Sequence, residues 1–248
     1  MTAVASSALR TDCQDCPIRH RAVCARCEPA ELRTLEAMKS YRRVDAGETI
    51  LYADDDMPIV ASIVTGVVSL SRTLEDGRRQ MVGLLLPSDF IGRPGRAEAP
   101  FDVVAATDTL LCQFQRPAFE DLLERTPSIA HRLLDMTLDE LDAAREWMVL
   151  LGRKTAREKI SSLLAIIARR QERLAGSTDQ GRIVFDLQLT RETMADYLGL
   201  TIETVSRQMT ALRKDGVIEL EGTRTIKVPD YARLLDEAGY DNDGAPLS

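Results

Sequence analysis

Short apolar stretches separated by turn residues occupy the N-terminal half of the chain, from about residue 32 to residue 119. Four of them have the length of a β-strand: residues 59–64, 67–71, 81–86 and 110–114. Glycines and clustered aspartates mark the intervals, and no helical pattern alternates with the strands. Short strands at regular spacing between turn signals predict a compact β barrel or roll over residues 31–126.

The turn residues stop at Pro127, and neither glycine nor proline follows until Gly152. Within this stretch one row of side chains follows alternating spacings of four and three: Leu134, Leu138, Leu141, Arg145 and Met148. This spacing places them on one side of a helix, at the a and d positions of a heptad. The pattern predicts a long helix over residues 127–152 with a homodimer seam. The alternative is an amphipathic helix packed on its own roll, because barely two heptads are visible and Arg145 interrupts them.

The segment from residue 190 to residue 215 has the pattern of two helices that cross at a tight turn. Ala195 is small enough for close helix packing, and Gly199 tolerates the positive φ that the turn requires. Thr190 and Thr201 are suited to N-cap the two helices. Two short strands around residues 221–224 follow and complete a winged helix-turn-helix. An unrelated α+β domain with the same elements is the alternative.

The start of the second helix carries the side chains that would contact DNA. In a helix-turn-helix, these first turns reach base edges in the major groove. Arg207 has the geometry to bond guanine, Glu203 can accept from a cytosine amine, and Ser206 can bond either kind of partner. Phosphate contacts are predicted for Thr190, Arg191 and Arg213 or Lys214.

Length and charge agree with a two-domain DNA-binding protein. The chain has 248 residues, and 44% of them are hydrophobic, which is enough to form two cores. Residues 153–227 hold 14 Lys and Arg against 10 Asp and Glu, whereas the remainder holds 18 against 29. The basic part is therefore the part predicted to touch phosphate. Residues 1–10 lack a targeting signal and no apolar run nears the ~20 residues of a membrane span, so we expect a cytoplasmic protein without a membrane partner.

Five cysteines are the remaining chemical signal. Four lie in CQDCPIRHRAVCARC, as Cys13, Cys16, Cys24 and Cys27, and Cys112 lies in the strand-like LLCQF. Without a secretion signal, metal or redox chemistry is favoured over structural disulfides. The spacing alone leaves two interpretations open: a structural zinc site of four thiolates, with Cys112 as a core residue, or an iron-sulfur cluster.

The predicted roll, long helix and winged helix together resemble the Crp/Fnr family of regulators over nearly the whole chain. The string from Glu203 to Arg207 also resembles the E-x-x-S-R signature of the Fnr branch. The resemblance implies an α+β protein with a cyclic-nucleotide-binding-like roll, a dimerisation helix and a C-terminal winged helix. It also implies a homodimer on a palindrome of double-stranded DNA with TTGAT-like half-sites, and RNA polymerase as a protein partner. The expected division is a cysteine-rich segment over residues 1–30, the roll over 31–126, the dimer helix over 127–152, the DNA-binding domain over 153–230 and a helix with a tail over 231–248.

The resemblance also gives the cysteines a role. In Fnr-type oxygen sensors, an N-terminal cysteine group and one distant cysteine of the roll ligate a 4Fe-4S cluster. This implies a 4Fe-4S cofactor here, on Cys13, Cys16, Cys24 and Cys112. The chain departs from the best-known pattern, because seven residues rather than five separate the second and third cysteines, and Cys27 is additional. We therefore expect Cys27 to be spare or a substitute for Cys24.

Three other functions fit less well. The cyclic-nucleotide pocket of the superfamily usually carries a Gly-Glu-Leu element, which residues 91–96 do not match. A haem-based gas sensor would have to use His20 or His131, since the chain has no other histidine. No G-x-S-x-G motif, P-loop or histidine-rich metal triad points to an enzyme.

Overall fold

The computed structural model describes residues 12–77, 79–175, 182–222 and 224–240. Two compact units divide the chain, Met1–Thr137 and Leu138–Ser248. Residues 176–181 and the predicted C-terminal tail after residue 240 lie outside the described residues. Within the described ranges, no helix is both long enough and apolar enough to cross a bilayer.

The first unit contains the predicted roll, built from eight strands. They are β1 (Ser40–Val44), β2 (Thr49–Leu51), β3 (Ile59–Thr65), β4 (Val68–Thr73), β5 (Arg79–Leu85), β6 (Phe90–Ile91), β7 (Asp102–Ala105) and β8 (Thr109–Gln115). Antiparallel pairing gives two four-stranded sheets, in the orders β1-β8-β3-β6 and β2-β7-β4-β5. The interior between them is filled by Met57, Ala61, Ile63, Val68 and Leu111, all without solvent exposure. The roll is therefore confirmed.

Two helices of this unit were not predicted. Helix α1 (Pro29–Met38) precedes the roll, and α2 (Arg116–Arg125) follows it. Each begins with proline in its first turn, and α1 also has a capping box between Glu28 and Glu31. These are recognised start signals for helices. The domain predicted as roll over residues 31–126 thus contains most of one helix and all of another.

Helix α3 (Pro127–Arg153) confirms the predicted long helix and passes from the first unit into the second. The second unit continues with α4 (Ala156–Ala175), β9 (Ile183–Asp186), α5 (Arg191–Leu198), α6 (Ile202–Lys214), β10 (Glu219–Glu221), β11 (Thr225–Val228) and α7 (Tyr231–Glu237). The strands form an antiparallel sheet in the order β10-β11-β9. Ile160, Leu163 and Leu164 of α4 are buried at helical spacing.

The turn between α5 and α6 has the predicted geometry. Gly199 has φ 61° and ψ 43°, and the Leu200 amide donates to the Ala195 carbonyl at 3.0 Å. The Thr190 hydroxyl accepts from the Thr193 amide at 3.0 Å, and the Thr201 hydroxyl accepts from the Thr204 amide at 3.2 Å. Both predicted N-caps and the left-handed glycine are confirmed, so the relative placement of the two helices follows from local sequence.

Two glycine substitutions should change stability in opposite directions. Gly199→Ala should destabilise the second unit by about 1 to 2 kcal/mol, because a side chain disfavours the left-handed conformation. Gly152→Ala should stabilise by up to about 1 kcal/mol, because Gly152 lies inside α3 with open space around its Cα. Urea unfolding at one protein concentration measures both. Equal effects of the same sign would contradict the assignment of the turn.

Candidate metal centre and nucleic-acid interface

The four N-terminal cysteines lie on a stretch of consecutive tight turns, residues 12–28, called here the cysteine segment. The Cys16 carbonyl accepts from the Arg19 amide at 2.9 Å, and the Cys24 carbonyl accepts from the Cys27 amide at 3.1 Å. The Arg19 guanidinium donates to the carbonyls of Cys24 and Cys27 at 2.6 and 2.9 Å. One arginine therefore fixes the backbone at two cysteines, in a segment that has no helix or strand to do so.

Cys112 lies on β8 and points away from the roll interior. Its neighbour Leu111 packs inside the roll, whereas Cys112 packs against a second apolar cluster on the outer face of the sheet. This outer cluster contains Cys13, Val23, Cys27, Leu32, Leu35, Val60, Phe114, Phe119, Leu122 and Ile129, with Cys24, Cys112, Leu133 and Met136 packed against it. Sulfurs that are about a hundred residues apart in sequence are thereby collected in one apolar region.

Burial controls the protonation of these thiols. Burial raises the pKa of the Cys112 thiol to about 12, and repulsion from the Cys16, Cys13 and Cys24 thiolates adds to the increase. Burial likewise raises the pKa of Cys24 to about 11, opposed by the nearby Arg19 guanidinium. Among the described residues, no three Cys, His, Asp or Glu side chains have the spacing of a single-ion site. Burial thus raises the pKa of Cys16, Cys24 and Cys112, three of the thiols gathered in this region.

The cysteine segment is attached to the first part of α3. The Arg132 guanidinium donates to the carbonyl of Ala22 at 3.4 Å and also to that of Arg21. Arg26 forms an ion pair with Asp135 at 2.7 Å, on the same side of the helix. Leu133 and Met136 add apolar contact from α3. Sequence reasoning missed these partners, because no motif marks an arginine that binds carbonyls over a hundred residues away.

A different side of α3 is exposed and apolar. Leu134, Leu138, Leu141 and Met148 are between 45% and 66% exposed in the single chain. Arg145, the fifth member of the row, is exposed and pairs with Asp142 at 3.0 Å. An exposed row of large apolar side chains is typical of a protein interface. The row is therefore exposed in the single chain, and its role as a dimer seam stays a prediction. Val149 is equally exposed and was not predicted.

Helix α6 separates a buried side from an exposed one. Val205, Met209 and Leu212 are buried, while Glu203, Ser206 and Arg207 are exposed. Hydrogen bonds from its own amide and from the Thr201 hydroxyl lower the pKa of the Glu203 carboxyl, so it is an ionised acceptor at neutral pH. The Arg207 guanidinium donates to the Thr204 hydroxyl at 3.3 Å. The three predicted base-reading side chains thus share the accessible side of the helix.

The structure adds one residue to this side and refines the predicted phosphate contacts. Ile202, the first residue of α6, is 46% exposed and was missed, although its position before Glu203 could have shown it. Arg213 and Lys214 are exposed at the end of α6. Arg191 is half-buried with its guanidinium 3.5 Å from the Met194 sulfur, and burial lowers its pKa. The Thr190 hydroxyl is engaged as an N-cap.

Three features define the class of this protein: a roll, a long helix with an exposed apolar row, and a winged helix with polar side chains on its second helix. Together they are typical of DNA-binding transcription regulators with an attached sensory domain. Family profiles agree with this class. The "Crp-like helix-turn-helix domain" profile matches residues 129–237, and the "Cyclic nucleotide-binding domain" profile matches residues 41–126.

Individual relatives define the family. The "Transcriptional activator protein FnrL" of Cereibacter sphaeroides is 65% identical over 232 residues, which are 94% of each chain. The "Fumarate and nitrate reduction regulatory protein" of Escherichia coli is 25% identical over 231 residues, covering 92% of this chain and 90% of that one. The structure of FixK2 from Bradyrhizobium japonicum superposes with a TM-score of 0.70 at 32% identity, over 80% of this chain and 96% of that one. The chain belongs to the Crp/Fnr family of transcription regulators, which bind DNA as dimers and are not enzymes.

Proposed function

We propose that this regulator responds to oxygen through a 4Fe-4S cluster held by Cys13, Cys16, Cys24 and Cys112. With the cluster intact, the chain forms a homodimer, binds a palindromic TTGAT-type site and controls genes of low-oxygen metabolism in the cytoplasm. RNA polymerase is its protein partner at promoters. The observation that carries the proposal is the convergence of the cysteine segment and Cys112 in one cluster that includes Leu133 and Met136 of α3.

The residues present fit such a group. Thiolates are the usual ligands of 4Fe-4S clusters, and the surroundings combine apolar side chains with two cations, Arg19 and Lys39. Both cations lower the pKa of Cys16, against the increase from burial. Metal binding requires the thiolate form, so cations near the sulfurs favour it.

Cys24 is a better third ligand than Cys27. The thiols that interact most strongly with Cys24 are Cys16 and Cys13, and Cys24 in turn acts on Cys112. Cys27 interacts first with Cys24 and with the Glu31 carboxylate, both of which raise its pKa in addition to burial. An adjacent carboxylate opposes a thiolate ligand, so this arrangement supports Cys27 as the spare cysteine.

When bound, the cluster supplies an oxygen-labile link between the cysteine segment and the roll. The chain's own residues then couple this link to association. Arg132 holds the segment by its carbonyls, and Leu133 and Met136 pack against it on α3. Release of the segment would change the support of the helix that carries the exposed row. Each dimer places two α6 helices on two half-sites, whereas a monomer reads only one.

The exposed side chains of α6 support the proposal of a TTGAT half-site. Arg207 suits the guanine, Glu203 suits the paired cytosine, and Ile202 offers apolar contact to a thymine methyl group. Ser206 is exposed on the same side of α6 as these three residues. Thr190, Arg191 and Arg213 contribute to holding the backbone phosphates.

A nucleotide-responsive regulator is the rival within this fold. The Gly95 amide, in the stretch that lacks the Gly-Glu-Leu element, donates to the Glu120 carboxylate at 2.8 Å. Glu120 also pairs with Arg116 at 3.2 Å. An amide and an arginine that could serve a phosphate are thus occupied by an internal carboxylate, which disfavours nucleotide binding.

Anaerobic purification followed by iron and sulfide assay tests the cofactor. We expect iron and sulfide in equal amounts, loss of the visible absorption in air, and a matching loss of DNA binding to a TTGAT palindrome. Cys112→Ser should abolish iron loading, because it removes the link to the roll. Cys27→Ser, the matched control, should load normally. One zinc per chain with air-insensitive DNA binding would contradict the proposal and select a structural metal.

The exposed row of α3 is tested by Leu138→Glu. Burying a charge in the seam of both subunits should weaken the cluster-loaded dimer by about 3 kcal/mol, or roughly a hundredfold, since each leucine loses apolar burial. Asp139→Ala, an exposed change one position away, should leave association unaltered. Sedimentation under anaerobic conditions measures both. A dimer of unchanged affinity in Leu138→Glu would exclude this surface.

Base readout by α6 is tested by Arg207→Ala. The loss of one bidentate contact should cost about 1 to 3 kcal/mol on the TTGAT palindrome and little on random DNA. Arg213→Ala should weaken binding to both DNAs alike, because phosphate contacts do not depend on sequence. Binding titrations at fixed salt compare the two variants. Equal loss of affinity for both DNAs in Arg207→Ala would reject its assignment to a base.

A further inference from the structure

Lys39 is a nearly buried cation directed at the cysteine segment. It follows α1 as its C-cap, and only 10% of its side chain is exposed. The ammonium lies 3.2 Å from the Cys13 sulfur and 3.3 Å from a Glu36 carboxylate oxygen, and 5.2 Å from the centre of the Tyr41 ring. A lysine is rarely buried unless it is paired, so its position indicates a need for positive charge at this point.

The direction of the Lys39 side chain is fixed independently of the thiol. Glu36, which accepts from the ammonium, also accepts from the Cys13 backbone amide at 3.2 Å. One carboxylate therefore holds both the lysine head group and the backbone of the cysteine.

Ser62 occupies a comparable place beside Cys112. It is 2% exposed, and its hydroxyl has no hydrogen-bond partner among the described residues. The strand register places Ser62 of β3 directly opposite Cys112 of β8. Its neighbours Ala61 and Ile63 face the roll interior, so Ser62 faces the outer cluster together with Cys112. Side chains directly opposite in an antiparallel pair are close enough to contact each other.

We propose that Lys39 and Ser62 are positioning residues that donate hydrogen bonds to the thiolates of Cys13 and Cys112. This inference rests on the proposed cluster and assigns each of the two attached parts of the chain its own donor, Lys39 for the cysteine segment and Ser62 for the roll. Hydrogen bonds and positive charge stabilise ligand sulfurs as their electron density increases. They therefore strengthen metal retention and raise the reduction potential.

The arrangement accounts for two costs that packing alone leaves unexplained. A buried hydroxyl without a partner is unfavourable, and an apolar residue at position 62 would fill the outer cluster without that penalty. A lysine whose only role was to pair with Glu36 could form that ion pair equally well on the exposed surface. Arg33, a cation of α1 that is exposed to solvent, is the comparison for the nearly buried Lys39.

The test compares anaerobically purified wild type with Lys39→Met, Lys39→Arg, Ser62→Ala and the control Arg33→Met. Lys39→Met should lose iron to a chelator about tenfold faster, bleach faster in air and show a lower midpoint potential, as is typical when a residue that supports a metal ligand is removed. Lys39→Arg should recover most of the retention. Ser62→Ala should lower the potential by a smaller amount and alter the visible circular dichroism of the cluster. Arg33→Met should match wild type in every measurement.

Two results separate this inference from the proposed function. Wild type without iron and sulfide would overturn the proposed function, and this inference with it. Wild type that loads normally, with Lys39→Met and Ser62→Ala equal to it in potential and iron retention, would overturn this inference alone. Far-UV circular dichroism monitors folding. If Lys39→Met does not fold, Ser62→Ala and Lys39→Gln decide, because Lys39→Gln removes the charge but keeps a polar side chain: an unchanged potential in both overturns the inference.

Discussion

The attachment of the cysteine segment to α3 is the interaction on which the sensory half depends. The segment has no helix or strand of its own, so its backbone is positioned by side chains. Arg19 binds carbonyls at its end, and Arg132 binds carbonyls in its middle from α3. Carbonyl groups that accept from a guanidinium are satisfied without regular structure. The segment is therefore ordered against the helix without regular structure of its own.

Helix α3 has one side packed on the outer cluster and another side exposed. In the proposed mechanism, the cofactor site and the dimer surface therefore lie on two sides of the same helix. Leu133 and Met136 pack on the outer cluster, while Leu134 and Leu138 are exposed. With 3.6 residues per turn, these pairs lie on different sides of one helix. In the proposed mechanism, a change in support on the inner side would reach the exposed row through the thickness of a single helix. No longer chain of contacts would be required between the proposed cofactor and the proposed dimer surface.

Local patterns in the sequence predicted the elements that depend on neighbouring residues. The caps at Thr190 and Thr201, the left-handed Gly199 and the row on α3 all follow from spacings of a few positions. The contacts around the cysteines could not be predicted in this way. Lys39 and Cys13 are 26 residues apart, and Arg132 and Ala22 are 110 apart, so their proximity depends on the complete fold. The position of Ser62 opposite Cys112 could not be predicted for the same reason, because it depends on the strand register.

Strand β8 allows the proposed cofactor site to lie on the outer face of the roll without a change of fold. Successive side chains of a strand face opposite sides of the sheet. Leu111 completes the roll interior, and Cys112, one position later, faces the outer cluster beside α3. The interior face carries the stability of the roll, while the outer face is free to acquire ligands. Moreover, the amide of Gly95 is already bound to Glu120. The proposed cofactor site on the outer face lies against α3, because Leu133 and Met136 pack on the same cluster as Cys112.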